Sequence, residues 1–185
     1  MRTPHLPLQR PLQRLAAFLA HYRSLRATDF VFIDNGSTDG TRDHLVNQAD
    51  IALYDAPGRY SQSNCGVDWV NAALDAFAVG HWAVVADADE LLVYPRCETV
   101  RLAQVCRYLD DTGADCLKTF LLDMYSDQPL DHDGASEDLE QYCYFDSDTY
   151  HVRDKQGIPV RPQIAAGVTA DAVGKVKAGE LVNFV

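Results

Sequence analysis

The chain has 185 residues, 47% hydrophobic and 23% charged, enough for one domain with its own core and unlike a disordered segment. Its formal net charge of −11 creates a field that repels the backbone of nucleic acid and anionic lipid, which argues against either as a partner. The cysteines (Cys65, Cys97, Cys106, Cys116 and Cys143) are odd in number and form no CxxC pair, so they read as reduced, mostly buried thiols rather than a zinc site.

The opening MRTPHLPLQRPLQR is basic but lacks the apolar core of a signal peptide. No apolar run approaches the roughly 20 residues that span a bilayer. The expected location is therefore cytoplasmic, in keeping with reduced thiols. Residues 1–10 read as irregular. From Pro11, the helical spacing of Leu12, Leu15, Ala16, Leu19 and Tyr22 predicts an amphipathic helix ending near Arg26. Phe30-Val31-Phe32-Ile33 is apolar on both faces, as in a buried strand of a parallel sheet. It runs into Asp34-Asn35-Gly36-Ser37-Thr38-Asp39-Gly40, a dense turn signal. A helix over 41–48 follows, capped by Ser37, Thr38 or Asp39.

Ile51 to Tyr54 predicts a second strand, broken by Pro57 and Gly58. A helix fits 64–78, with Val67, Val70, Leu74 and Phe77 on one stripe. Trp82 to Ala86 is a third buried strand leading into Asp87-Ala88-Asp89-Glu90. A helix over 99–109 directs Val100, Ala103 and Leu109 inward, and 116–122 is a further strand. Strands alternating with helices make an α/β fold with a parallel or mostly parallel sheet. Ligands of such sheets bind at the carboxyl ends of the strands, where both acidic clusters fall. After Asp123 the pattern weakens. Residues 127–140 read as an acidic loop, 142–145 as a short strand, and 154–180 show little periodicity. The whole of 11–185 reads as one domain.

Two carboxylates after a buried strand are costly unless something positive neutralises them. Asp87 and Asp89 supply oxygen ligands suited to Mg²⁺ or Mn²⁺, which completes its shell with phosphate oxygens. The metal would also let an anionic substrate approach an acidic protein. The plainer alternative is a pair of solvated loop acids. In the first cluster, Asp34 and Asn35 offer acceptors and donors to a base or ribose, with helix-start amides near phosphate. Here the plainer alternative is helix capping and nothing more. An EF-hand is excluded, because its required Gly position and terminal Glu are missing.

FVFIDNGSTDGT (30–41) resembles the strand-turn-helix signature of family-2 glycosyltransferases, and WAVVADADELL (82–92) resembles their metal-binding D-x-D element. The order and strand-end placement of both motifs are similar to a bacterial subgroup of that family, over about residues 12–125. The resemblance implies a GT-A-like three-layer α/β/α sandwich with a mostly parallel central sheet. It implies nucleotide-sugar contacts from Asp34, Asn35, Ser37, Asp39 and Asp87, and Mn²⁺ or Mg²⁺ on Asp87 and Asp89. The reaction would be inverting transfer from a nucleotide-sugar donor to the hydroxyl of a saccharide, lipid or protein acceptor. Candidate bases are Asp123, and Asp138 in its pair with Glu137. His151 could close the metal shell, and Lys175 and Lys177 could meet phosphate, whereas Trp69 and Trp82 read as core.

Three departures from the family pattern stand out. The usual second Asp of the first motif is Asn35. The opening residues do not form the family's first strand, so that strand is expected to be missing. The chain also stops at Val185, leaving a nucleotide-sugar half (11–125) and a partial acceptor side (126–185). Two other functions compete. One is a non-catalytic remnant that binds nucleotide-sugar. The other is a haloacid-dehalogenase-like phosphatase with Asp87 as nucleophile and Asp89 as acid. That family wants Thr or Val two positions after the second Asp, where this chain has Leu91.

Overall fold

The computed structural model describes residues 10–117, 119, 122, 124, 125, 127, 144 and 145, and the backbone of short strands at 152–153, 159–160 and 172–175. Helix α1 is Arg10–Ser24. Its apolar positions Leu12, Leu15, Phe18, Leu19 and Tyr22 are all buried, so the helical spacing seen in the sequence is the core face. The helix ends where Arg26 turns left-handed (φ 68°), with the amide of Ala27 donating to the Tyr22 carbonyl at 3.0 Å.

Strand β1 (Phe30–Asp34) pairs in parallel with β2 (Ile51–Asp55), in a register that sets Asp34 opposite Asp55. The crossover carries the short helix α2 (Thr41–Val46), which buries Leu45. Phe32 of β1 meets Phe18 of α1 edge-on at 6.0 Å, and the Arg23 guanidinium lies 5.6 Å from the centre of the Phe30 ring. The face of β1 carrying Phe30 and Phe32 therefore turns toward α1. Helix α3 (Val67–Phe77) contacts the opposite face, where Phe77 packs on Tyr54 with ring centroids 5.1 Å apart. It starts later than the expected residue 64, because Asn64 and Cys65 hold φ of 53° and 54°, outside the right-handed helical region.

Strand β3 (Trp82–Val85) forms as expected. Helix α4 (Leu102–Thr112) is displaced by three residues from its expected start at 99. The turn over 95–99, with Arg96 at φ 61°, occupies the first residues. The helix begins where Gln104 Oε1 accepts the Arg101 amide at 2.9 Å and the Leu102 amide donates to the Leu25 carbonyl at 3.1 Å. Leu102, Val105 and Leu109 turn inward, Val100 packs on the core from the preceding turn, and Ala103, expected inward, is exposed.

Strand β4 is Cys116–Leu117; of the expected run to residue 122, residues 118, 120 and 121 lie outside the described residues. Strands β5 (Val152–Arg153) and β6 (Pro159–Val160) pair antiparallel. Strand β7 (Ala172–Lys175) pairs antiparallel with both β3 and β4, giving the order β3-β7-β4. The fold is thus α/β with a parallel pair β1–β2. Among the described residues, the other ladders are antiparallel, not the mostly parallel sheet expected. Of the strand expected over 142–145, Tyr144 forms a bridge with Tyr125, and residues 142 and 143 lie outside the described residues.

One core joins α1, β1, α2, β2, β3, α4 and β4. Leu15, Phe18, Leu19, Tyr22 and Leu25 gather Phe30, Leu45, Leu92 and Tyr94, with Trp82 and Val84 of β3 packed against them. No helix among the described residues is long and apolar enough to cross a membrane. The thiols are less hidden than expected: Cys65 and Cys116 are exposed, while Cys97 and Cys106 are half-buried. Burial pushes the Cys106 thiol above its ordinary pKa.

Candidate functional site

The first acidic turn closes the carboxyl end of β1. The Asp34 side chain is buried, and its Oδ1 accepts the Ser37 amide at 3.2 Å. The parallel register brings Asp55 alongside it, placing two like charges on neighbouring strands. Arg42, from the first turn of α2, offsets them. It forks onto the Asp55 carboxylate, and its Nη1 lies 3.7 Å from Asp34 Oδ2.

Asn35 is also explained by geometry. Its Nδ2 donates to the carbonyls of Ala56 (2.9 Å) and Gly58 (3.0 Å), tying the turn to the loop that leaves β2. An aspartate has no N–H to give those carbonyls. An aspartate at this position would leave this loop without its two bonds. The amide also commits Asn35's donors to the protein, leaving only its Oδ1 for a ligand.

None of the three capping candidates is the N-cap of α2, which is Gly40; Asp39 lies one residue before it, and its Oδ1 accepts the Thr41 amide at 3.1 Å. Gly40 takes the helix-entry position at φ 90°, a left-handed conformation that favours glycine. The hydrogen bonds from Thr41 hold the Asp39 carboxyl below its ordinary pKa. The Ser37 and Thr41 amides, expected to face phosphate, are thus bonded to the chain's own carboxylates. α2 itself has only six residues.

The second acidic turn follows β3. The Glu90 amide donates to the Asp87 carbonyl at 2.9 Å, and Glu90 Oε2 accepts the Asp87 amide at 3.1 Å. This reciprocal pair folds the four residues into a closed turn. Glu90 is half-buried, while Asp87 and Asp89 are exposed. The expected desolvation cost of the aspartate pair is therefore small, and a metal is not needed to offset it. The donor set still suits a divalent cation: two exposed carboxylates two residues apart match a site that Mg²⁺ shares with substrate phosphates. Among the described residues, no three or more His, Cys, Asp or Glu side chains gather into an all-protein cage.

Helix α1, which the sequence presented only as a core helix, holds both turns. Leu12 lies 3.6 Å from where a Cβ on Gly40 would sit, at the end of the first turn. The Tyr22 hydroxyl donates to the Glu90 carbonyl and accepts the Leu92 amide, both at 3.2 Å. His21 Nε2 is 2.8 Å from the Leu92 carbonyl. These partners lie about seventy positions away in sequence, so no local pattern could have shown them.

Arg23, next on the helix, fixes the entry to β2. It donates to both oxygens of Asp50 at 2.7 Å and to Gln48 Oε1 at 2.6 Å. The Arg23 hydrogen bond holds the Asp50 carboxyl below its ordinary value of 3.8. Its folded pKa is thus lower than its unfolded one. The stabilisation is complete above pH 3.8 and is lost as pH falls through the lowered value. Asp39 behaves in the same sense. Asp50→Asn is expected to lower the melting temperature at neutral pH and to flatten its decline between about pH 5 and about pH 2. Thermal melts across that range check this, and parallel acid limbs in the two proteins would refute it.

The remaining site expectations lie beyond the description. Asp123, Glu137, Asp138, His151 and Lys177 are outside the described residues, and Lys175 is described only as backbone in β7. Trp82 packs against the core, and Trp69 is half-buried beside Tyr60, ring centroids 6.2 Å apart.

No protein-family model and no solved structure matches the chain. A stretch of 23 residues is 87% identical to part of the alanine–tRNA ligase of Polaromonas naphthalenivorans (strain CJ2). It covers 12% of this chain, and the chain spans about 3% of the length of that ligase. Such a stretch is far smaller than a domain and carries no function across.

Proposed function

We propose that the chain is a glycosyltransferase of the GT-A type, a three-layer α/β/α sandwich moving a sugar from a nucleotide-sugar to an acceptor hydroxyl. The observation that carries this is the presence of two acidic turns, DNGSTDGT and DADE, at the carboxyl ends of β1 and β3, the first on a strand packed against α1 and the second hydrogen-bonded to α1. Helices contacting both faces of the β1–β2 pair support the layered arrangement.

In this proposal the buried Asp34 carboxylate and Asn35 Oδ1 receive the nucleoside, and Ser37 and Asp39 shape the turn around it. Asp87 and Asp89 would hold Mn²⁺ or Mg²⁺. When bound, that ion supplies Lewis-acid stabilisation to the departing diphosphate. The acceptor oxygen attacks C1 of the sugar while the bond from C1 to the diphosphate oxygen breaks. A carboxylate takes the hydroxyl proton, with Asp123 and Asp138 as candidates. One displacement inverts the anomeric centre.

Thermal unfolding with UDP, GDP and their sugars, with and without Mn²⁺, tests the proposal. A ligand at 100 times its Kd is expected to add about 2.7 kcal/mol of stability, with the gain depending on Mn²⁺. No shift with any of these nucleotides in a folded sample would refute it. Stabilisation without release of nucleoside diphosphate would favour the second function, a nucleotide-sugar-binding remnant without turnover.

A further inference from the structure

The proposed site spans two turns separated in the chain by α2, β2, α3 and β3, and its geometry depends on what fixes one turn relative to the other. Within the second turn the connections form a chain. Tyr22 OH holds the Glu90 carbonyl and the Leu92 amide. His21 meets the Leu92 carbonyl. The Glu90 carboxylate, on the residue so held, accepts the Asp87 amide. Tyr22 is 3% exposed and Leu92 is fully buried, so the bond from the Leu92 amide to the Tyr22 hydroxyl forms away from competing water, while the bond between Glu90 and the Asp87 amide lies at the surface. The same helix meets β1, the strand that ends in the first turn, through Phe18 and Phe32.

We propose that α1 is the brace that sets the DADE turn against the DNGSTDGT turn, with the Tyr22 hydroxyl and His21 imidazole as its positioning groups. The inference rests on the glycosyltransferase proposal for its ligand and assigns a role to residues that the motifs do not contain. Neither side chain touches substrate. Tyr22 acts on the Glu90 backbone directly and His21 acts two residues on, at Leu92, and the Glu90 carboxylate is the positioning group for the Asp87 backbone. Groups that orient metal ligands from behind typically change metal affinity 10- to 100-fold when removed.

The test uses Tyr22→Phe, which keeps the ring in the core and deletes only the hydroxyl. His21→Ala and His21→Gln accompany it, because a glutamine amide can donate to the Leu92 carbonyl in place of the imidazole. Mn²⁺ is titrated by electron paramagnetic resonance with UDP present, and separately with GDP. Amide exchange is followed residue by residue in the metal-free protein.

Tyr22→Phe is expected to weaken Mn²⁺ binding at least about tenfold. Exchange should speed up at Asp87 as well as Leu92, with the amides of α4 unchanged. His21→Ala should weaken binding in the same sense, and His21→Gln should restore most of it. Mn²⁺ affinity within twofold of the parent in Tyr22→Phe, while Asp89→Ala loses it, would overturn the brace and leave the glycosyltransferase proposal standing. Uniformly faster exchange throughout the chain would also overturn it, since that marks plain loss of stability. A parent chain that binds no Mn²⁺ with either nucleotide would remove both proposals together.

Discussion

Asp89→Ala is expected to abolish the Mn²⁺-dependent part of nucleotide binding, a loss of at least about 100-fold in affinity, equivalent to about 2.7 kcal/mol. Asp89 is exposed at the tip of a turn closed by Glu90 and held from behind by α1. Its side chain bears no core packing, so the substitution should leave the ligand-free melting temperature nearly unchanged. That separation of binding from stability makes the result decisive. Calorimetric titration of UDP or GDP with Mn²⁺, beside a melt of the free protein, measures both. An unchanged metal dependence in the variant would exclude Asp89 as a ligand. Glu90→Ala, in contrast, should weaken metal binding only in part, since Glu90 shapes the turn through the Asp87 amide.

The second large effect is on stability. Leu92 is 0% exposed and lies in the shared core with Leu19, Tyr22 and Tyr94. Leu92→Ala removes buried methyl groups and leaves a cavity in that core, at a cost of about 3 kcal/mol. Because the Leu92 backbone also meets His21 and Tyr22, the cavity should loosen the acidic turn too. Chemical denaturation is expected to show a lower midpoint with an unchanged slope. A loss below about 1 kcal/mol would mean that the core closes around the gap.

Much of this was legible locally. The apolar stripe of α1 predicted its buried face, because a helix with one apolar side has only one face to bury. The runs before Asp34 and Asp87 predicted β1 and β3, and the strand-end position of both acidic turns followed from that order. Local signals failed where tertiary contacts chose between near-equal options. α4 begins at Leu102 rather than 99 because the preceding turn and the Leu25 carbonyl set its first hydrogen bonds. Strand β7 contains Ala172 and Gly174, which have little intrinsic strand preference, and it owes its form to pairing with β3 and β4.

The sequence by itself determined the α/β class, the core face of α1 and the two acidic turns, since each depends on residues close together in the chain. Tertiary structure alone decided what those turns are made of. It exposed Asp87 and Asp89, buried Asp34 beside Arg42, and gave the Asn35 amide to two backbone carbonyls beyond β2. It also turned His21 and Tyr22 into the holders of a turn some seventy residues away. The physical reason is the same throughout: hydrogen bonds and burial are settled by neighbours in space, and chain spacing records only neighbours in sequence.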